Sequence, residues 1–168
     1  GVVFETIQMA QLTGYDVGGT IHIVFDNQVG FTADPWESRS AEYSSDVAKV
    51  CNIPVLHVNG DDLEAVVRAG EMAVQYRAKF KKDIVIRHSG YRRHGHNEGD
   101  EPMYTQPKMY TKIKNHPTPR DIYAKQLSSE GIVSESDVKK MYDDKIDQLQ
   151  DLLDDIKKNG HSNSEEEI

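Results

Sequence analysis

Three short apolar runs, each followed by a polar turn, dominate the first part of the chain. They fall at residues 20–26, 55–58 and 83–88 and are rich in isoleucine and valine. Runs that are apolar throughout, rather than alternating, are typical of strands buried on both faces, as in a parallel sheet. We therefore predict three buried strands at these positions.

Segments with a helical spacing of apolar residues separate the runs. Residues 2–12 and 63–80 repeat apolar positions every three or four residues, and Ser45 or Asp46 can cap a short helix through Val50. Strands that alternate with helices imply right-handed crossovers, so the predicted fold class is α/β, a three-layer domain with a parallel sheet. The predicted core-facing residues are Val3, Ile7 and Ala10 in the first helix and Leu63, Val66, Val67, Gly70, Ala73, Val74, Arg77 and Ala78 in the longer one.

The composition changes after the third strand. Residues 91–107 contain many charged residues, two prolines and few apolar residues. A segment with so little apolar surface cannot be anchored by a core. We predict an extended or poorly ordered loop here when no diphosphate is bound.

Two helices are predicted after this loop. Pro119 suits a first helical turn and Gly131 a C-terminal cap. Ser134 with Asp137 resembles a capping box that opens a last helix over residues 138–158. The predicted organisation is an α/β domain at residues 1–115, a helical extension at 116–159 and a disordered acidic tail at 160–168.

The polar residues that follow the first strand are candidates for metal binding. Asn27, Gln28, Val29 and Gly30 come directly after this strand, where ligands bind in open α/β sheets. A side-chain amide oxygen and a backbone carbonyl two residues later are neutral oxygen donors, which Mg²⁺ accepts. An ordinary turn between a strand and a loop is the alternative, since Asn and Gly end strands frequently.

Composition and charge narrow the function classes. The chain has 20 Lys and Arg against 28 Asp and Glu, a net charge of −8, which argues against a nucleic-acid or anionic-membrane surface. With no basic leader and no long apolar run, we expect neither a signal peptide nor a membrane span, and a chain that starts inside a longer one. The single cysteine, Cys51, fits a reducing compartment and a role as a small apolar residue.

A cationic cluster follows the third strand. Arg92, Arg93, His94 and His96 fall within five positions of an otherwise acidic protein. Arginine forks and histidine donors suit phosphate groups. A zinc site formed by His94, His96 and Glu98 is one alternative, although no cysteine pair accompanies them, and a solvated charged loop is another.

Several longer motifs resemble one enzyme family. They are VVFETIQMAQL, GGTIHIVFDNQVGFT, Ser38-Arg39-Ser40 with Tyr43, VLHVNGDDLEAV and, most specifically, GYRRHGHNEGDEPMYTQPKMY. Together they resemble the thiamine diphosphate-dependent first component of 2-oxoglutarate dehydrogenase complexes. The resemblance covers residues 1–145, and the segment HPTPRDIYAKQL is similar to bacterial members.

The resemblance implies part of the thiamine diphosphate-binding fold and an enzyme of the tricarboxylic acid cycle. Such an enzyme decarboxylates 2-oxoglutarate and passes the succinyl group to the lipoyl group of a succinyltransferase component. The parent enzyme is a homodimer, needs thiamine diphosphate and Mg²⁺, and binds neither nucleic acid nor membrane. The similarity of the segment HPTPRDIYAKQL to bacterial members implies a cytoplasmic location, and the mitochondrial matrix is the alternative.

The resemblance also implies roles for individual residues. Asn27 and the Val29 carbonyl match the positions that hold Mg²⁺, together with an Asp that would precede Gly1 in a Gly-Asp-Gly-like or Gly-Asp-Ala-like motif. Arg92 and His96 match positions near the diphosphate, with His94 assisting, and His96 is the residue assigned to catalysis. As the chain lacks that Asp, we expect it alone to be inactive.

The sequence departs from the family pattern in two places, one at the end of the first strand and one at the end of the third. Asp26 stands where the family has a first Asn, which adds an anion beside the metal, although strand alternation predicts that it points away. Arg87, His88 and Ser89 stand where the family has an apolar strand end. An inactive fragment that serves only as a protein-interaction module is the competing hypothesis. A Rossmann domain is disfavoured, because no G-x-G-x-x-G follows a strand.

Overall fold

A computed structural model describes residues 1–160, and all but the first residue of the tail predicted at 160–168 lies outside these described residues. The strands are β1 (Ile21–Asp26), β2 (Val55–Asn59) and β3 (Ile84–Ser89). They form one parallel sheet in the order β1-β3-β2. The predicted α/β class and the parallel pairing are confirmed.

The helices complete the α/β alternation. A 3₁₀ helix at Asp46–Cys51 precedes β2, and another at Pro102–Tyr104 precedes α4. The α-helices are α1 (Val2–Met9), α2 (Pro35–Ser38), α3 (Leu63–Phe80), α4 (Pro107–Asn115), α5 (Pro119–Ser129) and α6 (Glu135–Asn159).

The sheet separates two small cores, which gives the predicted three layers. On one face, Ala69 and Ala73 of α3 pack on Ile84 and Ile86 of β3. On the other face, Val85 packs with Ile7 of α1 and with residues of the 3₁₀ helix 46–51. Because side chains of a strand alternate between faces, the central strand β3 supplies both cores.

The predicted apolar stripe of α3 is only partly correct. Ala73 is fully buried and Val66 packs on the core, as predicted. Val67 and Val74, however, are 60% and 58% exposed. The buried residues of α3 are instead small ones, Ala69 and Ala73, because alanines let the helix axis approach the strands closely. Bulk was therefore a misleading guide to the orientation of α3.

The first helix is shorter and less buried than predicted. It ends at Met9 rather than near Leu12, and Val3 is 68% exposed. Only Ile7 is buried among its residues. The predicted amphipathic face therefore covers the sheet through one residue, with Ala10 packing beside it.

The helix α4 was not predicted, and the predicted loop ends at Pro107, the first residue of this helix. Pro107 occupies its first turn, and Tyr110 and Ile113 are its buried residues. A proline at the first helical position followed by apolar residues three and six positions later is a helix-start signal that would have found it. No regular helix spans the rest of the predicted loop, where the described structure shows bends, turns and the short 3₁₀ helix.

The described chain divides into two compact units, Gly1–Pro119 and the residues from Arg120 onward. The second unit contains the last helix, α6, whose predicted capping box is present: the Asp137 N–H donates to Ser134 Oγ at 3.1 Å, and the Ser134 N–H donates back to the Asp137 carboxylate at 3.1 Å. Within residues 1–160, none of the helices has the length and apolarity needed to cross a membrane.

The orientation of α3 gives a testable contrast between neighbouring residues. Ala73→Leu should lower the free energy of unfolding by about 1–3 kcal/mol, because the added methylenes overpack a closed core. Val74→Ser should change it by less than about 0.5 kcal/mol, because the side chain faces solvent. Urea denaturation followed by circular dichroism measures both, and equal losses from the two variants would contradict the described orientation.

Candidate functional site

The loops that follow the three strands are joined by hydrogen bonds at the carboxyl edge of the sheet. The Gly60 N–H donates to the Ser89 carbonyl at 2.8 Å, and the Gly90 N–H donates to the Asp26 carbonyl at 2.8 Å. The Gln28 side-chain amide donates to the Gly90 carbonyl at 2.7 Å. This edge is where ligands bind in open α/β folds, so it is the candidate site.

Asp26 is the most heavily bonded residue at this edge. It is buried, and Arg87 donates to its Oδ2 from Nε at 2.9 Å and from Nη2 at 2.6 Å. Ser44 Oγ donates to Oδ2 at 2.9 Å, and the Gln28 N–H donates to Oδ1 at 3.0 Å. Burial alone would raise the pKa of the Asp26 carboxyl, but the bonds from Arg87, Ser44 and Gln28 outweigh it and hold the pKa below its usual value.

Arg87 is the third-strand residue that departed from the family pattern, and its packing explains how the strand accommodates it. Its guanidinium carbon lies 5.0 Å from the Tyr43 ring centroid, which is a cation–π distance. The Tyr43 ring in turn contacts His57 of β2, with centroids 4.6 Å apart. Aromatic side chains therefore cover the charged end of β3 on this face of the sheet.

The loop after β1 has an unusual backbone. Gln28 and Phe31 have φ angles of 63° and 55°, the left-handed region that non-glycine residues rarely adopt. The Val29 N–H donates to Asn27 Oδ1 at 3.1 Å. Strained backbone of this kind clusters at binding sites, where the surrounding bonds hold it. No sequence signal predicts this conformation, because neither glutamine nor phenylalanine typically adopts it.

Asn27 faces a cavity of about 270 Å³, which we call the strand-edge cavity. Polar atoms at one side come from the β1 loop and the turn after β2, and apolar atoms at the other come from α4. The cavity is lined by Asn27, Gln28, Asp61, Tyr91, Met109, Lys112, Ile113 and His116.

His116 and Asp61 are site residues that sequence reasoning missed. His116 Nε2 lies 2.7 Å from Asp61 Oδ2. The His116 ring packs edge-on against the Tyr91 ring, with ring centroids 5.4 Å apart. Arg93 donates to the Tyr91 hydroxyl at 2.9 Å and to the His116 carbonyl at 3.2 Å. These contacts hold the segment after α4 against the strand edge. The His116–Asp61 contact joins residues 55 positions apart, so no local sequence signal could have revealed it.

The predicted cationic cluster does not gather around one point. Arg92 Nη2 donates to the Phe31 carbonyl at 3.0 Å, and Arg92 Nε donates to the Tyr110 hydroxyl at 3.1 Å. His96 packs against Phe31, with ring centroids 4.8 Å apart. Arg92 and His96 thus both contact Phe31 in the loop after β1, so these two predicted site residues lie close together.

His94 lies apart from that pair. It lines a second, larger cavity of about 700 Å³, together with Arg93, Glu98 and Asp100. Within residues 1–160, no group of three or more His, Cys, Asp or Glu side chains is arranged to hold a metal ion. The zinc alternative formed by His94, His96 and Glu98 is therefore not supported by the described part of the chain.

The ligand-binding roles predicted from the resemblance can be compared with this geometry. Asn27 and Val29 share one tight loop at the strand edge, which suits two neighbouring oxygen ligands of Mg²⁺. Asp26 points to Arg87 and does not line the strand-edge cavity, in agreement with the expected strand alternation. The residues present therefore fit a cation with neutral protein donors, and the metal itself stays a prediction.

Comparisons with known proteins identify relatives over nearly the whole chain. The family described as dehydrogenase E1 component matches residues 1–165. A 2-oxoglutarate dehydrogenase E1 component of Haemophilus influenzae is 56% identical over 150 residues, covering 89% of this chain. Proteins of the same name from Bacillus mycoides and Rickettsia prowazekii are each 55% identical, over 82% and 79% of this chain.

These relatives are much longer than this chain. The matched segment is 16% of the Haemophilus influenzae protein and 14% of each of the other two. The similarity thus concerns about one sixth of each relative's length or less.

Arg92 provides a test of how the loop after β3 is held. Arg92→Met removes the bonds to Phe31 and Tyr110, and a hydrogen bond to a charged group contributes about 1.5 kcal/mol, roughly a tenfold factor in an opening equilibrium. We expect amide hydrogen exchange over residues 91–106 to become about tenfold faster, by the same relation. Arg68→Met, which removes an exposed ion pair with Glu64 on α3, is the control. Unchanged hydrogen exchange in the Arg92 variant would show that the bonds from Arg92 to Phe31 and Tyr110 do not hold the loop in place.

Proposed function

The chain belongs to the dehydrogenase E1 component family, and on this basis we propose that it supplies part of the cofactor site of a thiamine diphosphate-dependent enzyme. The proposed reaction is the oxidative decarboxylation of 2-oxoglutarate with transfer of the succinyl group to a lipoyl group. The relatives' shared name, 2-oxoglutarate dehydrogenase E1 component, supports this substrate. The alternative of a pure interaction module is not favoured, because similarity covers 89% of the chain.

The observation that carries the proposal is the loop after β1. Asn27 lines the strand-edge cavity, and Gln28, with its left-handed backbone, separates it from Val29, whose N–H donates to Asn27 Oδ1 at 3.1 Å. We assign the Asn27 amide oxygen and the Val29 carbonyl to Mg²⁺, which prefers oxygen ligands and keeps positions open for phosphate oxygens. The cofactor supplies the electron sink for decarboxylation, while the protein binds and orients it.

We assign the diphosphate to the cationic residues after β3. Arg92 and His96 both contact Phe31, which lies in the same loop as Asn27, and this supports assigning them to a diphosphate bound beside Asn27. Arg92 can offer a charge-assisted fork and His96 a single donor. To assist in diphosphate binding, the His94 side chain would have to move from the larger cavity that it lines. His96 is the proposed catalytic residue in this chain, through contact with the cofactor.

The partners and location follow from the same proposal. The enzyme would act with a lipoyl-bearing succinyltransferase component and function as a homodimer. The net charge of −8 supports small-molecule rather than nucleic-acid binding. The bacterial relatives support a cytoplasmic location.

The 168-residue chain by itself should bind thiamine diphosphate with Mg²⁺ weakly or not at all. Its two assigned metal ligands are neutral, and the neighbouring carboxylate of Asp26 is committed to Arg87. A missing charged ligand worth about 2–3 kcal/mol would lower the affinity roughly 30-fold to 150-fold. Calorimetric titration of the chain and of its Asn27→Ala variant tests this. Micromolar binding by the unmodified chain, lost in the variant, would prove the expectation wrong.

A chimera tests the proposed function itself. The matched segment of the Haemophilus influenzae relative is replaced by this chain, and 2-oxoglutarate decarboxylation is measured. We expect activity in the chimera and a loss of Mg²⁺-dependent cofactor binding in its Asn27→Ala variant. Gln150→Ala, on the exposed surface of α6, is the matched control. A correctly folded chimera that binds no cofactor would contradict the assignment.

A further inference from the structure

Asp26 is adjacent to a proposed metal ligand but does not point to the metal. Its carboxylate accepts two bonds from Arg87 and one from Ser44, on the face of the sheet covered by the 3₁₀ helix 46–51. Asn27, the next residue, lines the strand-edge cavity, and Asp26 does not. Asp26 therefore does not provide an anion in direct contact with the cation.

Asp26 instead fixes the backbone of the loop that carries the ligands. Its Oδ1 accepts the Gln28 N–H at 3.0 Å, and its carbonyl accepts the Gly90 N–H at 2.8 Å. Gln28 is the residue with a φ angle of 63°, and its side chain also bonds to Gly90. A left-handed non-glycine residue persists only where surrounding bonds hold it. The Asp26 carboxylate accepts one of these bonds.

Arg87 makes this buried carboxylate possible. The side chains of Arg87 and Asp26 are only 12% and 4% exposed. Arg39 Nη2 also lies 3.7 Å from Asp26 Oδ2, but the contact with Arg87, at 2.6 Å, is the closer one and the one that includes hydrogen bonds. Removal of one partner from a buried pair leaves an unpaired charge in a poorly solvated place, whereas replacement of both by neutral groups of similar shape is often tolerated. The consequence is a strong dependence of each position on the other.

We propose that Asp26 and Arg87 form one positioning unit that holds the loop with Asn27 and Val29 in its binding geometry. The proposal rests on the function proposed above for these two ligands. It assigns Asp26 a role in positioning and not in metal coordination. It also implies that neutral residues at both positions serve the site better than a neutral residue at either one.

A double-mutant cycle tests the unit. The proteins are the unmodified chain, Asp26→Asn, Arg87→Met and the double variant. Asparagine keeps an Oδ1 acceptor for Gln28, and methionine keeps an apolar stem beside Tyr43. We expect amide hydrogen exchange of Gln28, Val29 and Gly90 to become about tenfold faster in each single variant, within the range measured for coupled contacts, and to return to within about twofold in the double variant.

A matched control separates positioning from general stability. Asp83 is a buried carboxylate at the opposite edge of the sheet, where it accepts the Thr20 N–H at 2.8 Å and contacts His22 at 2.7 Å. Asp83→Asn should lower the unfolding midpoint in urea without changing exchange at Gln28 or Val29. Equal acceleration of the loop amides in this control would show only general loosening and would overturn the proposal.

The same variants placed in the chimera give the second readout, the Mg²⁺ concentration needed for half-maximal binding of thiamine diphosphate. We expect it to rise about tenfold in Asp26→Asn and in Arg87→Met, to recover in the double variant and to stay unchanged in Asp83→Asn. Additive losses in the double variant would overturn the proposal. A chimera in which even the unmodified chain fails to bind contradicts the proposed function, whereas the exchange cycle still decides whether the pair positions the loop.

Discussion

The buried ion pair between Asp26 and Arg87 is the constraint on which the carboxyl edge of the sheet depends. It joins the ends of β1 and β3, and through Ser44 and the Gln28 backbone it reaches the segment before β2 and the β1 loop. Loss of one partner from such a pair typically costs about 3–5 kcal/mol, because the remaining charge is stranded. Two residues that each looked out of place in the sequence therefore form one interaction.

Polar contacts, rather than a large core, also attach α4 to this edge. The helix buries only Tyr110 and Ile113, and its position depends further on the contact of His116 with Asp61. His116 is about two-fifths exposed, so solvent weakens this contact. The strand-edge cavity thus has one firm wall, made by the sheet, and one wall that polar contacts hold and that can open more easily.

The sequence was sufficient for the elements whose signals are local. The apolar runs predicted all three strands, and the Ser134–Asp137 spacing predicted a capping box that is present. It was insufficient where a side chain's partner is distant: Asp26 and Arg87 are 61 positions apart. The prediction of which face of α3 packs on the sheet failed for a different reason. Val67 and Val74 are more hydrophobic than the alanines, yet they are exposed, and the smaller alanines pack on the sheet instead.

The arginines after β3 are held by bonds inside the protein. Arg92 is bonded to Phe31 and Tyr110, and Arg93 to Tyr91 and His116. A guanidinium group has five N–H donors, so these bonds leave donors for an anion, and any existing bond that the anion replaces is subtracted from its net affinity. A phosphate oxygen is a stronger acceptor than a carbonyl or a phenol, because the bond is assisted by charge on both partners. An anionic ligand therefore competes well with the internal acceptors for these guanidinium groups, whereas a neutral ligand has no such advantage over them.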